Sequence, residues 1–275
     1  MTSINNPAVH ASSDSAAQIE VSSERATNLR RWNIAMGTLH GISGVVMLIL
    51  ANDFTLPVGA RYLLGPPGTG FEDATTTELF AFPLAIGTAG FLLLSALFHG
   101  IIATVGFSRY LDELRHGRNR FRWVEYSASS TLMIVLIAML NITEFAALIA
   151  IAGANIAMIL FGWIMEMVNR PGEPVWWTPF AFGSVIGLVP WLVLAFYLVQ
   201  PGTPEGSPSA PGFVYGIVFT IFVFFNTFAV NQWAQYAQKG RWKDYLVGEK
   251  TYQVLSLVAK SALAWQIFAN TLIPA

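Results

Sequence analysis

Residues 251–273 read TYQVLSLVAKSALAWQIFANTLI. The run is long enough to cross a bilayer, which takes about 20 predominantly apolar residues, and its one charged residue is Lys260. Lys260 stands tenth in the stretch, about 15 Å in at 1.5 Å per residue. That is near the middle of a hydrocarbon layer about 30 Å thick. Lysines at helix ends snorkel back to water; one at this depth does so only with difficulty. Side chains in a helix lean toward its N-terminus, so a partner is to be sought in the half of the membrane from which this span enters.

Working outward, six more apolar stretches precede it, at 32–51, 80–107, 123–141, 145–168, 178–199 and 213–235. Each is continuously apolar rather than alternating, which marks helices and not barrel strands. The expected fold class is all-α, a bundle of seven transmembrane helices forming one membrane domain over 29–275. Residues 1–28 are polar and lack the basic start and short apolar run of a signal peptide, so they are expected to be a retained flexible tail. The whole chain agrees: charged residues make up 11% of 275, against about 25% in soluble domains. A net charge of −1 gives no reason to expect nucleic acid. The absence of cysteine excludes disulfides, thiolate metal sites, iron–sulfur clusters and a cysteine nucleophile.

Lysine and arginine set the orientation. Arg25, Arg30 and Arg31 precede the first span, and Arg109, Arg115, Arg118, Arg120 and Arg122 join the second to the third. Arg170 follows the fourth, and Lys239, Arg241, Lys243 and Lys250 join the sixth to the seventh. These thirteen lie on one side, against Arg61 alone on the other. The N-terminus is therefore expected in the cytoplasm and the C-terminus outside, in a multi-pass protein of the cell membrane. The two long loops, 52–79 and 200–212, then lie outside. VGARYLL, at 58–64, reads as a strand of a short hairpin. Gly65-Pro66-Pro67-Gly68-Thr69-Gly70 begins like a phosphate-binding loop, but Phe71 and Glu72 stand where Lys and Ser or Thr are required, so it reads as a turn. No internal repeat is evident, which argues against inverted-repeat transporters.

Three charges fall inside the spans: Glu125, Glu166 and Lys260. Each costs about 2.5–3.5 kcal/mol at a helix centre on insertion scales. Glu166, near a span end beside Asn169 and Arg170, reads as an interfacial carboxylate, solvated or paired with Arg170. Glu125 lies in the half toward which Lys260 leans. Ser256 stands one turn before Lys260 and Ser129 one turn after Glu125. This is the layout of one buried cation and one buried anion with a hydroxyl beside each. It reads structurally as a Lys–Glu pair between helices, though such pairs are weak devices for stability. It reads functionally as a site, the default for an ionisable residue within the membrane, and an amine in apolar surroundings suits imine formation with an aldehyde.

Seven helices with a lone lysine midway along the last is the plan of retinal-binding rhodopsins. The segment Ser256-Leu-Val-Ala-Lys260-Ser-Ala-Leu-Ala-Trp265-Gln, with Arg-Trp-Val-Glu125-Tyr-Ser-Ala-Ser129-Ser opening the third span, resembles the heliorhodopsins over roughly 30–275. The inverted orientation fits that family. So does Ser256, where proton pumps carry a second carboxylate four residues before the lysine. Pumps also carry three residues on the third helix spaced four and then seven apart; here these are Glu125, Ser129 and Leu136. A leucine thus replaces the proton donor.

The resemblance implies a rhodopsin-like bundle with all-trans retinal bound covalently to Lys260 as a Schiff base. Glu125 is then its counterion, and Ser129, Ser256 and Tyr126 assist. It also points to Trp265, Phe225, Gln232, Met158, Asn155 and Trp163 around the polyene. His40 and His99 read alone as hydrogen-bonded packing residues; the resemblance makes them a proton-accepting cluster near the counterion. They do not make a metal site, because further ligands are missing and His10 and His116 lie in a tail and a loop. The implied function is light sensing through all-trans to 13-cis isomerisation and a slow cycle, signalling rather than pumping. A cyclic isomerisation leaves no net product, so no enzyme is expected. Membrane lipid, a homodimer and an unidentified cytoplasmic-side partner complete the expectation. The rivals are a light-driven ion transporter or channel on the same scaffold, and a retinal-free seven-pass protein with a structural Lys–Glu pair.

Overall fold

The computed structural model describes residues 18–69 and 74–274. Seven long helices form the bundle: α1 (Ser23–Leu50), α2 (Leu84–Ala103), α4 (Arg120–Met139), α5 (Phe145–Val168), α6 (Thr178–Val199), α7 (Gly212–Tyr236) and α8 (Tyr245–Ile267). A short helix, α3 (Phe107–Arg115), follows α2, and two strands, β1 (Thr55–Arg61) and β2 (Thr76–Pro83), join α1 to α2. A 3-10 turn at Gly240–Lys243 precedes α8, and a π-turn at Phe268–Leu272 ends it. Polar caps set three of the starts: Ser22 accepts from Arg25 N (3.3 Å), Asn119 from Arg122 N (3.1 Å) and Asp244 from Leu246 N (3.0 Å). Each satisfies an amide that the first turn leaves without a helical partner.

Among the described residues, α1, α2, α5, α6 and α7 are long and apolar enough to cross a membrane. Ile49, Val185, Leu192 and Phe219 are each mostly exposed on the bundle's outer face, where a soluble protein would carry polar groups. Helices α4 and α8 are as long, at 20 and 23 residues, but fall short on hydropathy because they carry Arg120, Arg122, Glu125, Glu249, Lys250 and Lys260. Both begin before the apolar stretches expected at 123 and 251. The residues they add include charged side chains packed inside protein, as buried Arg122 and Glu249 attest.

Three other expectations are corrected. α1 starts at Ser23, inside the segment 1–28 expected to be a flexible tail; of that tail, residues 1–17, with His10, lie outside the described residues. Residues 80–83 belong to β2 rather than to a span. The hairpin does form, but its first strand is 55–61 rather than 58–64. It pairs antiparallel, from Thr55 with Pro83 to Arg61 with Thr76, with a bulge between Val58 and Gly59. At the bulge Gly59 N donates to Thr143 O (2.8 Å), docking the hairpin on the α4–α5 turn. A side chain on Gly59 would stand 2.9 Å from Thr77 O, so the position requires glycine.

The bundle is divided along its length. Toward the hairpin it is filled by an apolar cluster that includes Met47, Phe91, Leu92, Ile134, Leu136, Ile137, Ile221 and Leu263. Toward α3 the interior holds buried polar groups, among them Asn33, His40, Glu166, Glu249 and Gln253. Ser95, Glu125, Ser256 and Lys260 lie where the two halves meet.

Candidate functional site

Lys260 sits on α8, 3% exposed, and its Nζ donates to Glu125 Oε1 (2.6 Å), Ser95 Oγ (2.6 Å) and Ser256 Oγ (2.9 Å). Ser95, from α2, in turn donates to Glu125 Oε1 (2.7 Å). Three helices therefore converge on one ammonium. Ser256 reaches it because residues four apart share a helix face. Ser129 is fully buried one turn from Glu125. Tyr126 turns its ring face to Nζ, 5.3 Å from the ring centre, while its hydroxyl donates to Tyr252 O (3.1 Å). It meets the pair through its π-face.

A cavity of about 830 Å³ counting its open mouth is lined by Lys260 and Ser256 of α8 and by residues of α4, α5, α6 and α7. Of the residues singled out in the sequence, Ser129, Tyr126, Met158, Phe225 and Gln232 line it; Trp123, Phe180 and Phe228 add flat apolar walls. Gln232 is held by a bond to Gly162 O (3.3 Å). Three expected residues lie elsewhere. Asn155 is tied between helices to Ser130 Oγ and Thr131 Oγ1 (2.9 Å each). Trp163 packs behind the wall, against the cluster of Trp123, Tyr126, Ile159 and Tyr252. Trp265 is 37% exposed, faces α1 and donates to Ser43 Oγ (3.3 Å). Five residues turn a helix about 140° past a full turn, which carries Trp265 away from the face of Lys260.

On the α3 side of Glu125 lies a second, smaller cavity of about 350 Å³, lined among others by Asn33, His99, Asn119, Arg122, Glu249 and Gln253. His99 Nδ1 stands 2.8 Å from Asn33 Oδ1. The rings of His40 and His99 stack at 5.8 Å. Both His40 nitrogens are buried with no hydrogen-bond partner among the described residues. The two histidines are thus brought together, with His99 and Glu125 on one cavity. The described residues hold no cluster of three or more metal-ligating groups.

Glu166 is enclosed by protein rather than solvated. It is 1% exposed and paired with Arg122, and it accepts from Asn119 N (2.9 Å) and Trp123 Nε1 (2.5 Å). Arg122 Nη1 also donates to Glu249 Oε2 (2.5 Å), so one guanidinium serves two carboxylates. Neither Arg122 nor Glu249 stood out in the sequence, because both precede the apolar runs. Ser95 was missed because a serine in a hydrophobic helix carries no pattern. Arg122→Leu strands two buried carboxylates and is expected to cost about 3–5 kcal/mol, read as a lowered melting temperature. Replacing Arg122, Glu166 and Glu249 together by leucine is expected to recover much of that loss.

A family model described as Heliorhodopsin matches residues 29–272. The chain belongs to the heliorhodopsin family. Its fold is that of rhodopsins: it is similar to the transmembrane domain of Salpingoeca rosetta rhodopsin phosphodiesterase (TM-score 0.62, 13% identity, 90% of this chain and 87% of that one). It is likewise similar to the light-driven proton pump Coccomyxa subellipsoidea rhodopsin (0.59, 12%, 92% and 99%) and to Exiguobacterium sibiricum rhodopsin (0.60, 15%, 89% and 95%). At such identities the likeness concerns fold alone. A comparison with curated proteins finds no match. As a heliorhodopsin the chain is a retinal rhodopsin of the membrane, a photoreceptor whose chromophore is retinal. The residues fit that group: ligand pockets have mostly apolar and aromatic walls with a few placed polar groups, and this one is walled by Trp123, Phe180, Phe225 and Phe228 with the Lys260 amine among its lining.

Proposed function

We propose that this heliorhodopsin senses light through all-trans retinal held as a Schiff base on Lys260, with Glu125 as counterion. The observation that supports the reading is the position of Lys260: it lines an apolar cavity, with its Nζ 2.6 Å from one carboxylate oxygen. The bound chromophore supplies light absorption and a reversible all-trans to 13-cis isomerisation. The chain does the rest. Phe225, Met158 and Gln232 confine the polyene, Glu125 balances the charge at Nζ, and Ser95 and Ser256 orient it. A proton released from Nζ passes to Glu125 Oε1 and is kept in the polar half, where His99, Asn33 and His40 adjoin.

The other half of the bundle supports signalling rather than pumping. Beyond Lys260 toward the hairpin, α4 and α8 contribute buried Ile134, Leu136, Ile137 and Leu263, which offer a proton no relay. The cycle closes without net product, the reaction class of a receptor and not of an enzyme. The lysine and arginine distribution supports an N-terminus in the cytoplasm of a cell-membrane protein. On that reading the polar half faces the side where a signalling partner acts, and the hairpin, with Leu64 and Phe80 exposed, joins two copies outside.

Purified protein incubated with all-trans retinal is expected to acquire a visible band that light changes reversibly. Cells expressing it are expected to show no sustained light-driven pH change or current. A directional signal would replace the sensor with a transporter or channel. A sample that stays colourless would leave the Lys260–Glu125 pair as a structural ion pair.

A further inference from the structure

We propose that α3 is the element through which charge movement at the Lys260–Glu125 pair reaches the protein surface, and that Tyr110 carries it. The inference rests on the retinal reading above and adds the route of output.

Tyr110 is fully buried beneath α3, while Ser108, Arg109, Asp112 and Arg115 on the same short helix are exposed. Its hydroxyl donates to Glu249 Oε1 (3.1 Å) and accepts from Gln253 Nε2 (3.3 Å). Burial and the neighbouring Glu249 charge hold that hydroxyl well above its usual titration range, so it stays a donor. Glu249 Oε1 also accepts from Asn119 Nδ2 (2.8 Å), and Oε2 from Arg122. Glu166 and Glu249 share Arg122. That two carboxylates share one guanidinium makes this buried group sensitive to any charge that moves nearby. The cavity at Glu125 brings that movement close, because Glu125 and His99 line it together with Asn119, Arg122, Glu249 and Gln253. Charges facing a low-dielectric interior act on one another far more strongly than across water.

α3 is also built to respond. It is nine residues long, and an irregular turn at Thr104–Gly106 separates it from α2. Gly117, at φ 68°, separates it from α4. A small apolar cluster of Leu29, Ile102, Tyr110, Leu114 and Leu246 holds it to the bundle. Beyond that cluster α3 is tied by the Glu113–Arg120 ion pair, so this short helix is anchored on one face and shifts as a local unit apart from the long helices. An element moves with a distant event only if its contacts differ between the two states; the Tyr110–Glu249 hydrogen bond is a contact that a charge moving in the adjoining cavity strengthens or weakens. The exposed face of α3 is then what a partner meets differently in light and dark.

The chain has no cysteine, so Ser108→Cys takes a spin label at one site, and Thr203→Cys, in the exposed α6–α7 loop at the other end of the bundle, serves as control. In the retinal-reconstituted full chain, light is expected to change label mobility at 108 but not at 203, recovering with the visible band. In Tyr110→Phe, which keeps the buried ring, the band and its light response persist while the change at 108 is lost. Persistence of the band certifies the fold. A light-responsive band with no change at 108, or an undiminished change in Tyr110→Phe, overturns the coupling and leaves the chromophore reading intact. A protein that takes up no retinal overturns both.

Discussion

Lys260→Ala is expected to fold and to stay colourless after incubation with all-trans retinal, a complete loss of the visible band. An imine needs a primary amine, and Lys260 supplies the one lining the cavity. Alanine also leaves Glu125 buried at 6% exposure without its cation, and removing one partner of a buried pair is destabilising by about 3–5 kcal/mol. Lost colour could then reflect lost structure. Lys260→Arg separates the two. It keeps a cation opposite Glu125, yet a guanidinium stays protonated and forms no imine. A helical, monodisperse and colourless Lys260→Arg assigns the attachment to Lys260 Nζ. A visible band in either variant places retinal on another residue, or binds it without a covalent bond, and the proposed site fails.

The sequence carried the site's centre better than its surroundings, for a physical reason. Hydropathy reports contact with lipid. Where helices are lipid-facing along their length the reading matched, and α5 and α6 run over the expected 145–168 and 178–199. Lys260 stood out because a charge in an apolar run is costly wherever the helix faces. Where polar side chains are buried against other protein, hydropathy misleads. The first turns of α4 and α8 read as loop, although Arg122 and Glu249 are among the most enclosed groups in the molecule. Glu166 looked interfacial because its nearest basic residue in sequence is Arg170, whereas its partner comes from a different helix, 44 positions away. Residues 80–83 are apolar enough for a span, but pairing with β1 claims them first. Trp265 shows the limit of sequence proximity: nearness to Lys260 along the chain says little about the face it occupies.

Glu125→Gln is expected to displace the visible band of the retinal-bound protein, and Glu125→Asp to restore it in large part. Glutamine is nearly the same size and keeps a hydrogen-bonding oxygen, so the cavity wall survives. What is lost is the negative charge. In its place Nζ would have two serine hydroxyls, Ser95 and Ser256, within reach. Hydroxyls orient a cation but do not neutralise it, and an uncompensated charge in a low-dielectric site is strongly disfavoured. The polyene's excitation energy depends on how closely the positive end is held by an anion, so both loss of the proton and capture of a substitute anion move the band. Added chloride or formate distinguishes the two, because a band recovered by a small anion shows the cation seeking a partner. Ser95 makes the test sharper: its hydroxyl bridges Lys260 and Glu125, so Ser95→Ala alters the orientation of the pair while leaving both charges. Its shift is expected to be smaller than that of Glu125→Gln. Equal shifts would mean that hydrogen-bond geometry and not charge tunes the site, and an unchanged spectrum in Glu125→Gln would remove Glu125 from the counterion role.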